Sequence, residues 1–336
     1  MNLHFTMITV NMKHLLTSAF ILLTSVTIQA HSWRINNQIQ LNADFIDINA
    51  AMNSENVMEG DTLYLDPGTG LTGSQSVTKQ VTIIGCGYFR ADAPHDIASI
   101  LESFSIKAPY TKVVGVSLIG EVNIDASNVT LERCKANSVI KVNAQHVNIR
   151  QCYGIEVTGK GATNLSSAYC TIENCILIKT TAYGVVSGLY FATIKNCYLK
   201  QTYNDSNLIY SCVFRSCQNC TVINSIYLNE PRPSQIWHSS TTELNQNNIS
   251  SADEGNTEAS IFTLNGADDR RFQLKEDSPA KGAATDGGDC GPFGGQYPYV
   301  IGGLPAGHPY YTKAVISPRS ENDKVRVSLQ IKMQNE

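Results

Sequence analysis

Charge is scarce in this chain. Lys, Arg, Asp and Glu make up 16% of 336 residues, and the formal net charge is −4. A nucleic-acid partner would call for a basic stripe, and no such excess exists. Long apolar runs are missing too. Past residue 30 no stretch has the length of a membrane span. The apolar run over residues 15–28 is itself short for one, and it follows Met12, Lys13 and His14. A short basic start before an apolar run reads as a secretory signal with cleavage after Ala30, although Ile28 is large for the third position back. Residues 1–11 admit a reading as an upstream start. His31 rather than Cys follows the cleavage point, so no lipid anchor is indicated. The expected location is secreted, periplasmic or cell-surface.

Helical spacing is also absent where it would matter. One short phrase occurs five times: Val129-Thr-Leu-Glu-Arg-Cys134, Val147-Asn-Ile-Arg-Gln-Cys152, Cys170-Thr-Ile-Glu-Asn-Cys175, Ala192-Thr-Ile-Lys-Asn-Cys197 and Cys220-Thr-Val-Ile-Asn-Ser225. The spacings are 18, 23, 22 and 28 residues. Weaker copies, Val81-Thr-Ile-Ile-Gly-Cys86 and Thr111-Lys-Val-Val-Gly-Val116, precede them. Repeats at this period specify a solenoid. The phrases alternate at period two and contain no Pro, and no amphipathic helix follows any of them, so the repeating unit is a strand. Stacked coils then lie ~4.8 Å apart, with phrase positions one, three and six facing inward. Position five reads Arg133, Gln151, Asn174, Asn196, Asn224 and marks a corner, where Asn tolerates the bend and can bond its own kind from coil to coil.

Ten cysteines in a secreted chain would ordinarily suggest disulfides. Here Cys86, Cys134, Cys152, Cys175 and Cys197 share one inward repeat position, which makes them a ladder of small buried hydrophobes. Metal ligands must converge on a point, which a ladder does not. For Cys212, Cys217, Cys220 and Cys290 a local bridge stays open.

In chain order, residues 42–57 read as an amphipathic helix with Phe45, Ile48 and Met52 on one face, placed to cover the open first coil. Coils run over residues 63–262, with excursions at 89–109 and 229–240. Gly60-Asp-Thr-Leu-Tyr-Leu-Asp-Pro-Gly68, the repeats such as Gly188-Leu-Tyr-Phe-Ala-Thr-Ile-Lys-Asn-Cys197, and the closing Asp277-Ser-Pro-Ala280 and Asp289-Cys-Gly-Pro-Phe-Gly-Gly295 resemble secreted bacterial proteins of the pectin-lyase-like superfamily. That resemblance covers roughly residues 40–300. It implies an all-β, single-stranded right-handed parallel β-helix over residues 31–295, with a terminator at 262–295. Residues 296–336 differ: Lys324-Val-Arg-Val-Ser-Leu-Gln-Ile-Lys alternates strictly and pairs with residues 314–316 as an appendage, on the last coil or for attachment.

The superfamily's chemistry is harder to find. The Gly-His-Gly of the hydrolases it resembles does not occur. Acidic residues in the repeats are few, and those at residues 268–269 and 286–289 suit turns. Position four alternates in sign, Glu132, Arg150, Glu173, Lys195, as a row of surface ion pairs would. Tyr153 and Tyr198 follow the ladder Cys, so both leave the coil outward, with Tyr183, Tyr203 and Lys200 in adjoining segments. Aromatic faces beside Arg150, Lys195 and Lys200 suit an acidic polysaccharide. The expectation is a monomeric, polysaccharide-engaging surface module without a recognisable catalytic set. A polysaccharide lyase or glycoside hydrolase, and a structural surface protein or adhesin, stand as alternatives. No cofactor is expected; Ca²⁺ would enter only with a lyase.

Overall fold

The structure, a computed structural model, describes residues 30–88, 98–161, 164–205, 210–266, 268–305, 309–316 and 327–333. The signal expected over residues 1–30 lies outside them but for Ala30. The body is a parallel β-helix. Each phrase contributes one short strand to a ten-stranded parallel sheet that begins at Ser32–Ile35 and ends at Thr242–Gln246. A thirteen-stranded sheet forms the other two sides of each coil. The strand Lys135–Val142 shows how: its register shifts between Ala136 and Val139, so its two halves lie on different sides.

The inward alternation holds. Leu131, Ile149, Ile172, Ile194 and Val222 are fully buried and successive in register. Cys134, Cys152, Cys175 and Cys197 lie beside them, all with free thiols. Each thiol donates weakly to a backbone carbonyl, as Cys197 does to Ile172 at 3.3 Å. Cys86 is only half-buried and meets Ser99 Oγ at 3.3 Å. Cys212, Cys217, Cys220 and Cys290 are also unbridged.

From Tyr110 onward two corners bend the coils, both through residues in the left-handed region. The first is the expected one: Arg133, Gln151, Asn174, Asn196 and Asn224 have φ between 49° and 54°. The second immediately precedes each phrase, at Tyr110, Asn128, His146, Tyr169, Phe191 and Asn219. Its rings stack outside the coils, His146 on Tyr169 at 5.4 Å and Tyr169 on Phe191 at 5.5 Å.

The N-terminal helix is shorter than residues 42–57, spanning Ile48–Asn53. Asp47, extended, caps it by accepting from Ala50 N–H at 2.6 Å. Upstream, Asn42 is left-handed, and Phe45 spends its backbone on the first strand, accepting from Asn36 and donating to Arg34. That pairing holds the segment before Asp47 out of the helix.

The largest departure concerns the terminator. It does not stop at the last coil but runs back along the first corner as a strap. Asn224 exchanges hydrogen bonds with Thr285, at 3.1 and 2.9 Å. Asn174 donates to the carbonyls of Pro292 and Gly294, at 2.8 and 2.7 Å. Gln151 donates to Pro298 at 2.6 Å and Arg133 to Leu304 at 3.0 Å. Asn174 and Asn224 thus serve the strap rather than their neighbours in the row, because a left-handed corner turns them outward, where the strap's polar groups need partners. Glycine is required on the strap at the closest approaches. A Cβ on Gly303 would lie 2.1 Å from the Tyr88 ring and 2.5 Å from Arg133 O. The far end is held by Tyr88, whose hydroxyl meets that of Tyr299 at 2.6 Å, while Tyr299 donates to buried Asp269 at 2.8 Å. Asp286 and Asp289 accept from backbone N–H groups of nearby turns, as their surroundings suggested.

Two stability outcomes follow. Ile172→Ala is expected to cost about 2–5 kcal/mol in urea titration, as large-to-small core changes do, with Thr171→Ala far less. Asn174→Gly keeps the left-handed corner but deletes both strap bonds, leaving two buried carbonyls unmet. Its expected cost is about 1–3 kcal/mol.

Candidate functional site

The residues expected to form a binding face are not one face. Tyr198 leaves the coil outward but is fully buried, because the returning chain covers it. Phe262 and Phe272 pack on its ring at 4.6 and 5.2 Å, and its hydroxyl donates to Glu258 at 2.8 Å. Lys200 is buried beside it and neutralised by Glu230 at 2.7 Å and Glu258 at 2.8 Å. Tyr153 joins Lys200, Glu258, Arg271 and Phe272 around a pit of about 320 Å³. Tyr183 lies on another side, with the Arg215 guanidinium 4.6 Å over its ring and the edge of Tyr210 against it. Tyr203 bonds Asp205 at 3.3 Å. Lys195 belongs to the charge row, 3.7 Å from Glu173. Tyr198 and Lys200 are therefore held in a tertiary clamp, with Lys200 bordering the pit. The aromatic stack at the second corner, by contrast, was readable in the residue before each phrase.

Arg150 is the exception among those residues. It stands in a groove of about 840 Å³ between the outer face of the ten-stranded sheet and the strap. The floor is built by register. Lys112 and Thr130 are opposite each other on adjoining strands, and Glu132 is opposite Arg150 on the next. Glu132 accepts from Arg150 at 2.7 and 3.1 Å and from Lys112 at 2.9 Å. Arg133, at the corner, is 3.7 Å from the other carboxylate oxygen and donates to Gln151 at 2.9 Å. Three cations surround one carboxylate, a net of +2 (3 − 1) in this cluster. The strap supplies the opposite wall, with Tyr297 lying under the Arg150 guanidinium at 5.5 Å.

Glu132 is the buried member and the cations are its lid. Burial pushes its pKa up, but the hydrogen bonds and charges of Lys112 and Arg150 outweigh that and hold it below the ordinary glutamate value. A carboxylate so held is a poor proton acceptor, and it does not donate near neutral pH. Lys112 and Arg150 keep about a third or more of their side chains exposed, so their remaining donors face the groove. Among the described residues no three of His, Cys, Asp and Glu gather as a metal set. Among them, too, no helix is long and apolar enough to cross a membrane.

No family model and no curated protein sequence matches the chain. Solved structures similar to it are pectate and polygalacturonate lyases. One is a polygalacturonate lyase fused with a self-assembling amphipathic peptide, at 9% identity and TM-score 0.44, covering 74% of this chain and 86% of that one. A Bacillus subtilis pectate lyase variant is 8% identical, TM-score 0.42, with 78% and 92% covered. A third pectate lyase is 14% identical, TM-score 0.39, with 80% and 97% covered. Identity this low leaves the chemistry of those enzymes with those enzymes.

The Glu132 cluster gives the chain a pH signature. With its folded pKa lowered, Glu132 contributes stability that is present above the unfolded glutamate value and lost as pH falls through the folded one. Thermal melts from pH 7 downward should show this acid loss, and Glu132→Gln should be less stable at pH 7 with a flatter acid limb.

Proposed function

We propose that this is an extracellular polysaccharide-engaging β-helix that holds an acidic glycan in the groove between the ten-stranded sheet and the strap. The observation that carries this reading is the Lys112–Glu132–Arg150 cluster: its carboxylate is buried and satisfied, while its cations keep donors toward the groove. Arg150 suits the carboxylate of an acidic sugar, since a guanidinium presents paired donors in a plane. Tyr297 offers the aromatic surface on which a pyranose packs. The apolar run at residues 15–28 supports export, and the described residues fit a surface module. Binding rather than bond cleavage is favoured because Glu132, the carboxylate in the groove, is committed to its cations.

Affinity electrophoresis through gels containing acidic or neutral polysaccharides tests this. Retention is expected with acidic chains and should weaken as salt rises. Arg150→Ala removes charge-assisted contacts worth ~1.5–3 kcal/mol, which is on the order of 10–100-fold in affinity. Tyr297→Ala should weaken retention less, and Lys195→Ala should leave it unchanged. Equal retention in wild type, Arg150→Ala and Tyr297→Ala, each folded at the temperature of the assay, would remove the groove from consideration. Unsaturated products appearing in the same mixtures would instead make the chain a lyase.

A further inference from the structure

The two ends of the solenoid are finished differently. At the N-terminal end the first strand is occupied: Phe45 pairs with Arg34 and Asn36 through backbone bonds, and Asp44 accepts from Arg34 N–H at 2.7 Å. At the other end the ten-stranded sheet stops at Thr242–Gln246, all five residues exposed. Asn224 N–H donates to Gln246 O, so Gln246 faces the solenoid. By the alternation of a parallel ladder, Asn245 between its neighbours turns its backbone N–H and C=O to the open edge. Such an edge is a template for another strand.

Beyond the strap the chain forms an antiparallel hairpin, Pro309–Ile316 with Val327–Met333, which is a sheet of two strands. A two-stranded hairpin alone is marginal in water. Its place along the molecule decides what it can pair with. Pro305 lies against Gly115, and Leu304 accepts from Arg133, so the strap ends beside the strand Lys112–Val114. From there the terminal strand Thr242–Gln246 is six strand steps away, about 29 Å along the axis. The four residue steps from Pro305 to Pro309 reach at most about 14 Å. Neither strand of the hairpin can therefore lie beside the open edge of its own chain. A hairpin strand that pairs with the open edge of the last coil must therefore come from another molecule.

We propose that the hairpin of one copy adds to the open edge Thr242–Gln246 of a second copy, so that molecules join head to tail. The charges agree. The described strands of the hairpin, Pro309–Ile316 and Val327–Met333, carry Lys313 and Lys332 and no Asp or Glu, a net of +2. Residues 241–256 carry Glu243, Asp253 and Glu254 and no Lys or Arg, a net of −3. Apolar surface is available on both sides: Leu244 is 44% exposed and Ile331 57%. Main-chain bonds would supply the attraction, and these charges the orientation. The contact joins unlike surfaces, so it generates an open series rather than a closed dimer. It replaces the monomer expected from the sequence.

Sedimentation velocity of the full chain, over rising concentration and at two salt levels, tests this. The expected result is dimers, trimers and longer species that diminish as salt rises. Leu244→Lys blocks the edge with a cation facing a basic hairpin. Ile331→Lys disables the hairpin, whether by discouraging docking or by melting it. Each variant alone should lose the faster species, and Glu243→Lys serves as a second edge variant. An equal mixture of Leu244→Lys and Ile331→Lys retains one working contact and should form dimers that go no further. Monomer alone in the wild type, wild-type association by either variant, or failure of the mixture to dimerise would each overturn the proposal.

Discussion

A single backbone conformation, repeated at one corner of successive coils from Gly115 to Asn224, shapes the molecule. Arg133, Gln151, Asn174, Asn196 and Asn224 all sit near φ 50°, which costs a residue with a Cβ roughly 1–2 kcal/mol. The bend lets position four face outward and position six inward with one residue between them. It also turns five polar side chains out of the coil in a line parallel to the axis. A line of donors at regular intervals is what an extended strap needs along its length. Its carbonyls at Pro292, Gly294, Pro298 and Leu304 accept from Asn174, Gln151 and Arg133, and its glycines allow the approach.

The groove is a consequence of that docking. The outer face of a parallel sheet is shallow by itself, and a row of alternating charges on it would be solvated and worth little. The strap raises a second wall beside Glu132 and Arg150 and brings Tyr297 over them. Within that wall Glu132 is buried, and its pairing with Lys112 and Arg150 gains weight because water is partly excluded. The same return path has the opposite effect one side over. There it covers Tyr198 and ties Lys200 to Glu258, converting two outward residues into packing.

Inward and outward assignments were legible residue by residue. Ile149, Ile172 and Ile194 stack as their spacing requires, and the cysteines between them remain thiols. Position four was legible as a charge row, and the Arg150–Glu132 pair belongs to it. Lys112 was visible only through a degenerate copy of the phrase, which lacks the Cys that marks the others. Tyr297 carried no signal, since it is 147 residues from Arg150 and belongs to no repeat. The helix over residues 42–57 shrank to Ile48–Asn53 because Phe45 found backbone partners outside its own segment.

The sequence by itself determined the coil. Period-two alternation, a fixed inward position and a bend-tolerant residue before it are local rules, and each copy states them again, so errors in one are corrected by the others. Only the tertiary structure decided which outward residues meet solvent. That depends on where a non-repeating segment lies, and its path follows from contacts between residues more than a hundred positions apart, such as Asn174 with Pro292 and Tyr88 with Tyr299. Periodicity describes neighbours along the axis; a strap that crosses six coils is a neighbour to all of them and periodic with none.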